Sequence, residues 1–228
     1  MTARAPGELR VGVVDTGINP WHSHVGGRVR GCRVRRGPRG EIHEAPEFFD
    51  PVGHGTAVAG VLRQALPDAE LFAVRVFDEE LVTYPSLVAR GVLRAAAAGC
   101  AVINLSLAVA PGPGAEVLAA ACAAALEAGC VLVAAGRPDR PGWLPASLPG
   151  VVGVVADDRL GPGELAVREG EPYPVRAAGC PRELRGLPAG ANLWGHSFAC
   201  ARVAAVLATK ALTPGAGSSY KMPFTAGD

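Results

Sequence analysis

Val11-Gly-Val-Val-Asp15-Thr-Gly17 decides how this chain is read. Val11 to Val14 is an apolar, β-branched run, the composition of a strand buried on both faces of a parallel sheet. It ends on a carboxylate, and Gly17 permits a sharp turn directly after it. Open α/β sheets build their sites at the carboxyl ends of the strands, so Asp15 stands where a site is expected. Outward from this strand the same rhythm repeats. Strands are expected near 10–14, 70–77, 101–107, 130–135 and 151–156, alternating with helices near 54–66, 85–98, 115–128 and 197–212. That alternation predicts an α/β fold in three αβα layers, a mostly parallel central sheet with helices on both faces.

Two distant segments supply partners for Asp15. In Gly53-His54-Gly-Thr56 the histidine sits between glycines and the following residues to Leu66 have helical composition, which puts the imidazole at a helix N-terminus with little bulk around it. In Gly195-His-Ser197-Phe-Ala199 the serine opens an Ala-, Val- and Leu-rich helix running to Leu212. A serine at a helix start keeps its own backbone N–H free for a developing oxyanion. Taken singly, an Asp after a strand is more often a turn or cap residue. Taken together, the three supply a nucleophile, a base and a carboxylate that orients the base. Their order, Asp then His then Ser, is that of subtilisin-like enzymes and differs from the chymotrypsin-like and α/β-hydrolase orders.

The chain resembles the subtilisin-like serine protease family, the subtilases, over most of residues 8–212. Asp15-Thr-Gly-Ile-Asn-Pro-Trp-His22 is similar to the family's Asp-x-Gly-Ile segment, and Glu70-Leu-Phe-Ala-Val-Arg-Val-Phe77 to the strand after the His helix. Val102-Ile-Asn-Leu-Ser-Leu107 is similar to the strand that pairs with extended substrate, and Val131-Leu-Val-Ala-Ala-Gly136 to the strand leading to the oxyanion hole. The resemblance implies catalytic Asp15, His54 and Ser197. It implies that Ser106, Leu107 and Ala108 hydrogen-bond the substrate backbone, and that Ala135 and Gly136 line the pocket for the residue before the cut. Residues 1–212 then form the peptidase domain. Residues 213–228, whose Thr213-Pro-Gly-Ala-Gly-Ser-Ser219 has linker composition, form a flexible tail. The implied function is a serine endopeptidase acting on a restricted protein or precursor-peptide substrate. The alternative is a degenerate relative that binds peptides along a strand edge without turning them over.

Departures from the family pattern bear on that choice. Where the family usually has an Asn that donates its amide to the oxyanion, this chain has Arg137-Pro138. Loss of that donor costs about 100- to 1,000-fold in turnover and leaves residual catalysis. With Ser197 N–H as one donor, Arg137 is the tentative second through its guanidinium, the alternative being a surface arginine facing water. The family's Gly-Thr-Ser-x-Ala-x-Pro becomes Gly195-His-Ser-Phe-Ala-Cys-Ala201. His196 is not needed as a base, since His54 suffices, and Cys200 reads as a small buried hydrophobe. Ala108 and Val109 stand where two glycines are common and narrow the first specificity pocket. No calcium insertion interrupts Val61-Leu-Arg-Gln-Ala-Leu-Pro67, and His24 replaces an Asp. His22 and His24 lack further ligands for zinc. No metal and no cofactor are therefore expected.

At 228 residues and 49% hydrophobic content the chain can bury one large core. A net charge of +1 gives no electrostatic case for nucleic acid or a membrane surface, and no run of eighteen apolar residues is present. The arginine-rich stretch Arg28–Arg39, with its glycines, reads as a solvated loop. Residues 157–194 read as loops with one strand around Pro174–Ala178. Because the chain starts close to Asp15, neither a signal peptide nor room for a prodomain is expected, which fits either a trimmed chain or an intracellular protein. Six cysteines with no C-x-x-C spacing suit buried free thiols in a reducing compartment, so a cytoplasmic location is expected.

Overall fold

A computed structural model of the chain describes residues 9–211. The strands among them are β1 (Arg10–Asp15), β2 (Val29–Arg36), β3 (Ile42–Ala45), β4 (Glu70–Arg75), β5 (Val102–Leu105), β6 (Val131–Ala135), β7 (Val152–Ala156), β8 (Leu165–Val167) and β9 (Val175–Ala177). The helices are α1 (His54–Ala65), α2 (Pro85–Ala97), α3 (Ala115–Glu127) and α4 (His196–Ala211), with a short 3-10 turn at Ala189–Ala191. All strands join one sheet in the order β3-β2-β4-β1-β5-β6-β7-β9-β8. Every neighbouring pair from β2 to β9 is parallel, and β3 and β8 close the two edges antiparallel.

The period-two geometry of a strand sends alternate side chains to opposite faces. Val11 and Val13 of β1 join α1 and α4 in one apolar cluster that includes Val58, Leu62, Phe198 and Val203. Val14, on the other face, joins α2 and α3 in a second cluster with Val88, Val92, Leu118 and Cys122. Burial of the whole of β1 is what makes its sequence a continuous apolar run rather than an alternating one. This is the expected three-layer αβα architecture.

Two sequence expectations are corrected. Arg28–Arg39 is not a solvated loop: most of it is β2, paired parallel with β4. Its arginines lie at exposed or half-buried positions while Cys32 and Val34 are buried, so the strand carries an apolar face beneath a basic one. The 157–194 segment contributes two strands rather than one, β9 at the expected place and β8 paired against it. The end of the expected last helix at Leu212 and the 213–228 tail lie outside the described residues. Among the described residues no helix is long and apolar enough to cross a membrane. All six cysteines are free thiols, and all but Cys180 are buried.

Candidate active site

β1 is the strand at which the chain order changes direction, with β4 on one side and β5 on the other. The crevice at such a switch point, outside the carboxyl ends of the strands, is where α/β sheets hold reactive groups. Asp15 ends β1 there, fully buried. Its Oδ1 faces His54 Nδ1 at 2.7 Å and accepts the Thr16 N–H at 2.7 Å, whereas Oδ2 is buried without a hydrogen-bond partner. An ionised carboxylate only accepts, so Nδ1 carries the proton and Nε2 is left as the basic nitrogen. The negative charge of Asp15 holds the imidazole pKa above its ordinary 6.5, against the opposing effect of burial.

The start of α1 is built to place His54 against this carboxylate. A Cβ on Gly55 would stand 2.2 Å from the Gly17 carbonyl oxygen, so bare glycine lets the helix abut the turn after Asp15. Gly17 itself has φ +111°, a conformation that favours glycine. The free N–H groups of the first turn are satisfied by side chains. Gly55 N–H donates to Thr16 Oγ1 at 2.9 Å, and Thr56 N–H donates to Asp50 Oδ2 at 2.8 Å. Asp50 also accepts the Thr56 hydroxyl at 2.6 Å and the Gly53 N–H at 2.8 Å. Burial pushes its carboxyl pKa up, but these hydrogen bonds outweigh that and hold it below the ordinary value.

Ser197 lies in the first turn of α4, where its N–H has no acceptor within the helix. Its Oγ donates to the Ser106 carbonyl at 3.0 Å, and Ser106 Oγ donates to the Ser197 carbonyl at 2.8 Å. This reciprocal pair ties the start of α4 to the end of β5. Fully buried Asn104 supports it, donating to Ser106 Oγ at 2.9 Å and accepting the Cys200 thiol at 3.2 Å. Burial pushes the Cys200 thiol up to about 12, so it is an inert core group. Among the described residues no hydrogen bond joins Ser197 to His54. The His54 ring lies 5.9 Å, centroid to centroid, from Phe198, the residue after Ser197.

Beside Ser197 opens a cavity of about 220 Å³. Its walls include each residue that the sequence assigned to substrate, Ser106, Leu107, Ala108, Ala135 and Gly136, together with Arg137, His196 and Ser197. Gly136 leaves room for the buried ring of Tyr173, which a Cβ there would meet at 2.6 Å. Arg137 stands at this cavity, but its Nε and Nη2 donate to Asp139 at 2.9 and 2.7 Å and its guanidinium lies 5.1 Å over the Trp143 ring. At His22 and His24, the His24 N–H donates to His22 Nδ1 at 3.2 Å. Among the described residues no group of three or more His, Cys, Asp or Glu gathers as a metal site would require.

The sequence model of the subtilase family (Peptidase_S8) matches residues 7–167. The chain belongs to the subtilase family. A thermostable alkaline protease of Halalkalibacterium halodurans is 35% identical over 163 residues, 67% of this chain and 42% of that protein. The subtilase chain thus spans less than half the length of this curated relative. Among solved structures, a cold-adapted subtilisin-like serine proteinase is similar with a TM-score of 0.67 and 24% identity, over 92% of this chain and 77% of that one. A lanthipeptide protease is similar at 0.62 and 20%, over 88% and 72%. An epidermin leader peptide processing serine protease of Staphylococcus aureus is similar at 0.67 and 18%, over 89% and 64%. At these identities the likeness is one of fold, the three-layer αβα architecture described above.

The family match ends before Ser197, and in the structure α4, which carries that serine in its first turn, packs on β5. Three supporting residues escaped the sequence reading of this subtilase. Asp50 carried no capping signal, since it lies three residues before the N-cap Gly53 and reaches Thr56 only through the fold of the loop between them. Asn104, inside an apolar strand, was legible as a buried polar group in need of partners. Tyr173 carried no local signal, because its ring meets Gly136 only through the sheet packing.

Proposed function

We propose that this subtilase is a serine endopeptidase working through Asp15, His54 and Ser197. The observation that carries the reading is the 2.7 Å Asp15–His54 contact, set at the switch point where the Ser197 helix starts. Ser197 Oγ turns from the Ser106 carbonyl, passes its proton to His54 Nε2 and bonds to the substrate carbonyl carbon. The imidazolium, held by Asp15, then protonates the amine as the C–N bond breaks. Water, deprotonated by His54, attacks the resulting ester and frees the acid product and the serine hydroxyl. The Ser197 N–H faces the developing oxyanion, and the Ser106–Ala108 edge takes the substrate backbone.

A restricted substrate is supported by Ala108, a side chain in the cavity wall at one of the two places where the family commonly has glycine. A precursor peptide is the substrate class proposed. Two of the structurally similar enzymes are described by a lanthipeptide and by leader-peptide processing. The test is labelling with a fluorescent alkyl fluorophosphonate, which needs no knowledge of the substrate. One label per chain is expected, absent in Ser197→Ala and strongly slowed in His54→Ala. An unaltered, folded chain that takes no label overturns the proposal. It would favour the second reading, a peptide-binding relic, which the engagement of Ser197 Oγ by the Ser106 carbonyl supports.

A further inference from the structure

His196 is half-buried between two neighbours. The Ala156 N–H, at the end of β7, donates to its Nδ1 at 3.0 Å, and the Trp194 ring meets it edge-on at 5.8 Å. Trp194 is in turn anchored, its Nε1 donating to Asp158 at 2.7 Å. An Nδ1 that accepts from a backbone amide cannot carry the proton, so the proton resides on Nε2. Nε2 has no hydrogen-bond partner among the described residues, and it is not one of the sealed, unpaired buried polar atoms. It is therefore an N–H donor open to solvent, on a residue that lines the same cavity as Ser197.

Arg137, by contrast, has two of its donor nitrogens committed to Asp139. An oxyanion donor works best when it is fixed before the charge develops, because no reorganisation is then needed. The clamped imidazole meets that condition. Resting on the serine peptidase reading, we propose that His196 Nε2–H is the second oxyanion donor, acting beside the Ser197 N–H in place of the absent asparagine. The ring stays neutral for this task. Burial lowers its pKa, Arg137 and Arg176 lower it further against the opposing pull of Asp139, and a second proton would have to displace the Ala156 N–H. His196 thus touches the reacting oxygen, whereas His54 moves the proton.

The test is the rate of fluorophosphonate labelling of Ser197 as a function of probe concentration, since the phosphonyl oxygen takes the oxyanion's place. His196→Ala is expected to lower the limiting rate by about 10- to 1,000-fold while the half-saturating concentration stays within about twofold, because the bond forms in the transition state. His196→Gln, whose amide can donate, should recover much of that rate, and His196→Phe, which fills the space without a donor, should not. Circular dichroism checks that each variant is folded, and the Gln–Phe pair decides the matter if His196→Ala is not. Labelling of folded His196→Phe at the unaltered rate overturns the donor role while leaving the triad standing. Loss in Arg137→Ala with His196→Phe unaffected also overturns it and assigns the donor to Arg137. No Ser197-dependent labelling of the unaltered chain overturns both this inference and the peptidase reading.

Discussion

His54 is governed at the scale of single residues by a buried carboxylate that has one oxygen without a partner. Such a group gains from a neighbouring positive charge, and the imidazole pKa is raised from 6.5 as a result. A general base must be neutral to accept a proton, so Ser197 labelling should rise with pH through a midpoint above 6.5. Asp15→Asn should move the His54 titration, followed by NMR of the ring, to lower pH. The same change should cut labelling by about 10,000-fold, since the amide favours the wrong tautomer. A His54 midpoint that is unmoved in Asp15→Asn would show that some other group sets its charge. The places of Asp15, His54 and Ser197 in the fold were legible because each sits at a strand end or helix start that the local sequence announces. The engagement of Arg137 by Asp139 and the clamping of His196 by Ala156 N–H were not. Both depend on where side chains point after packing.

At the scale of elements, α1 depends on Asp50, which accepts from both N–H and hydroxyl of Thr56 and from the Gly53 N–H. Asp50→Ala leaves donors at the buried start of α1 unpaired, a loss of about 1–3 kcal/mol. For a chain of this size that is about 2–12 °C in Tm, read by thermal denaturation. Because the folded carboxyl pKa lies below its unfolded value, the stabilisation is present above about 3.8. It is lost as pH falls through the lower folded value. The gap between unaltered chain and Asp50→Ala should therefore close in acid. A gap that stays constant down to pH 2 would sink this role for the Asp50 carboxylate. Element boundaries themselves were read to within a residue or two for β1, β6, β7 and α1–α3, since parallel strands buried on both faces give continuous apolar runs. β2 was missed for the same physical reason in reverse. It lies next to an edge, and its alternating arginines mask the period-two apolar face formed by Cys32 and Val34.

Across the whole molecule, the end of α1 and the loops beside it are bound together by one arginine. Arg63, on the last turn of α1 and 9% exposed, donates to the carbonyls of Val25 at 2.9 Å, Leu66 at 3.2 Å, Pro67 at 2.8 Å and Ala69 at 2.6 Å. It also reaches the Arg28 carbonyl at 3.3 Å. A converging set of carbonyl oxygens is the environment of a hard cation, and the guanidinium fills it with a charge that is covalently part of the fold. It joins the loop before β2 to the loop before β4, and so connects α1 to the half of the sheet beyond β1. Two results should follow in melting experiments. Chelation should leave Tm unchanged within about 1 °C, since no bound ion would be lost on unfolding. Arg63→Ala should lower Tm by more than about 5 °C, because several buried carbonyls lose their donor at about 1–3 kcal/mol each. Arg63→Lys should recover only part of the loss, as a single ammonium cannot reach every acceptor that the planar guanidinium spans. A Tm that falls by several degrees on chelation, with Arg63→Ala near neutral, would place the stabilising charge in a bound ion and refute the role given to Arg63.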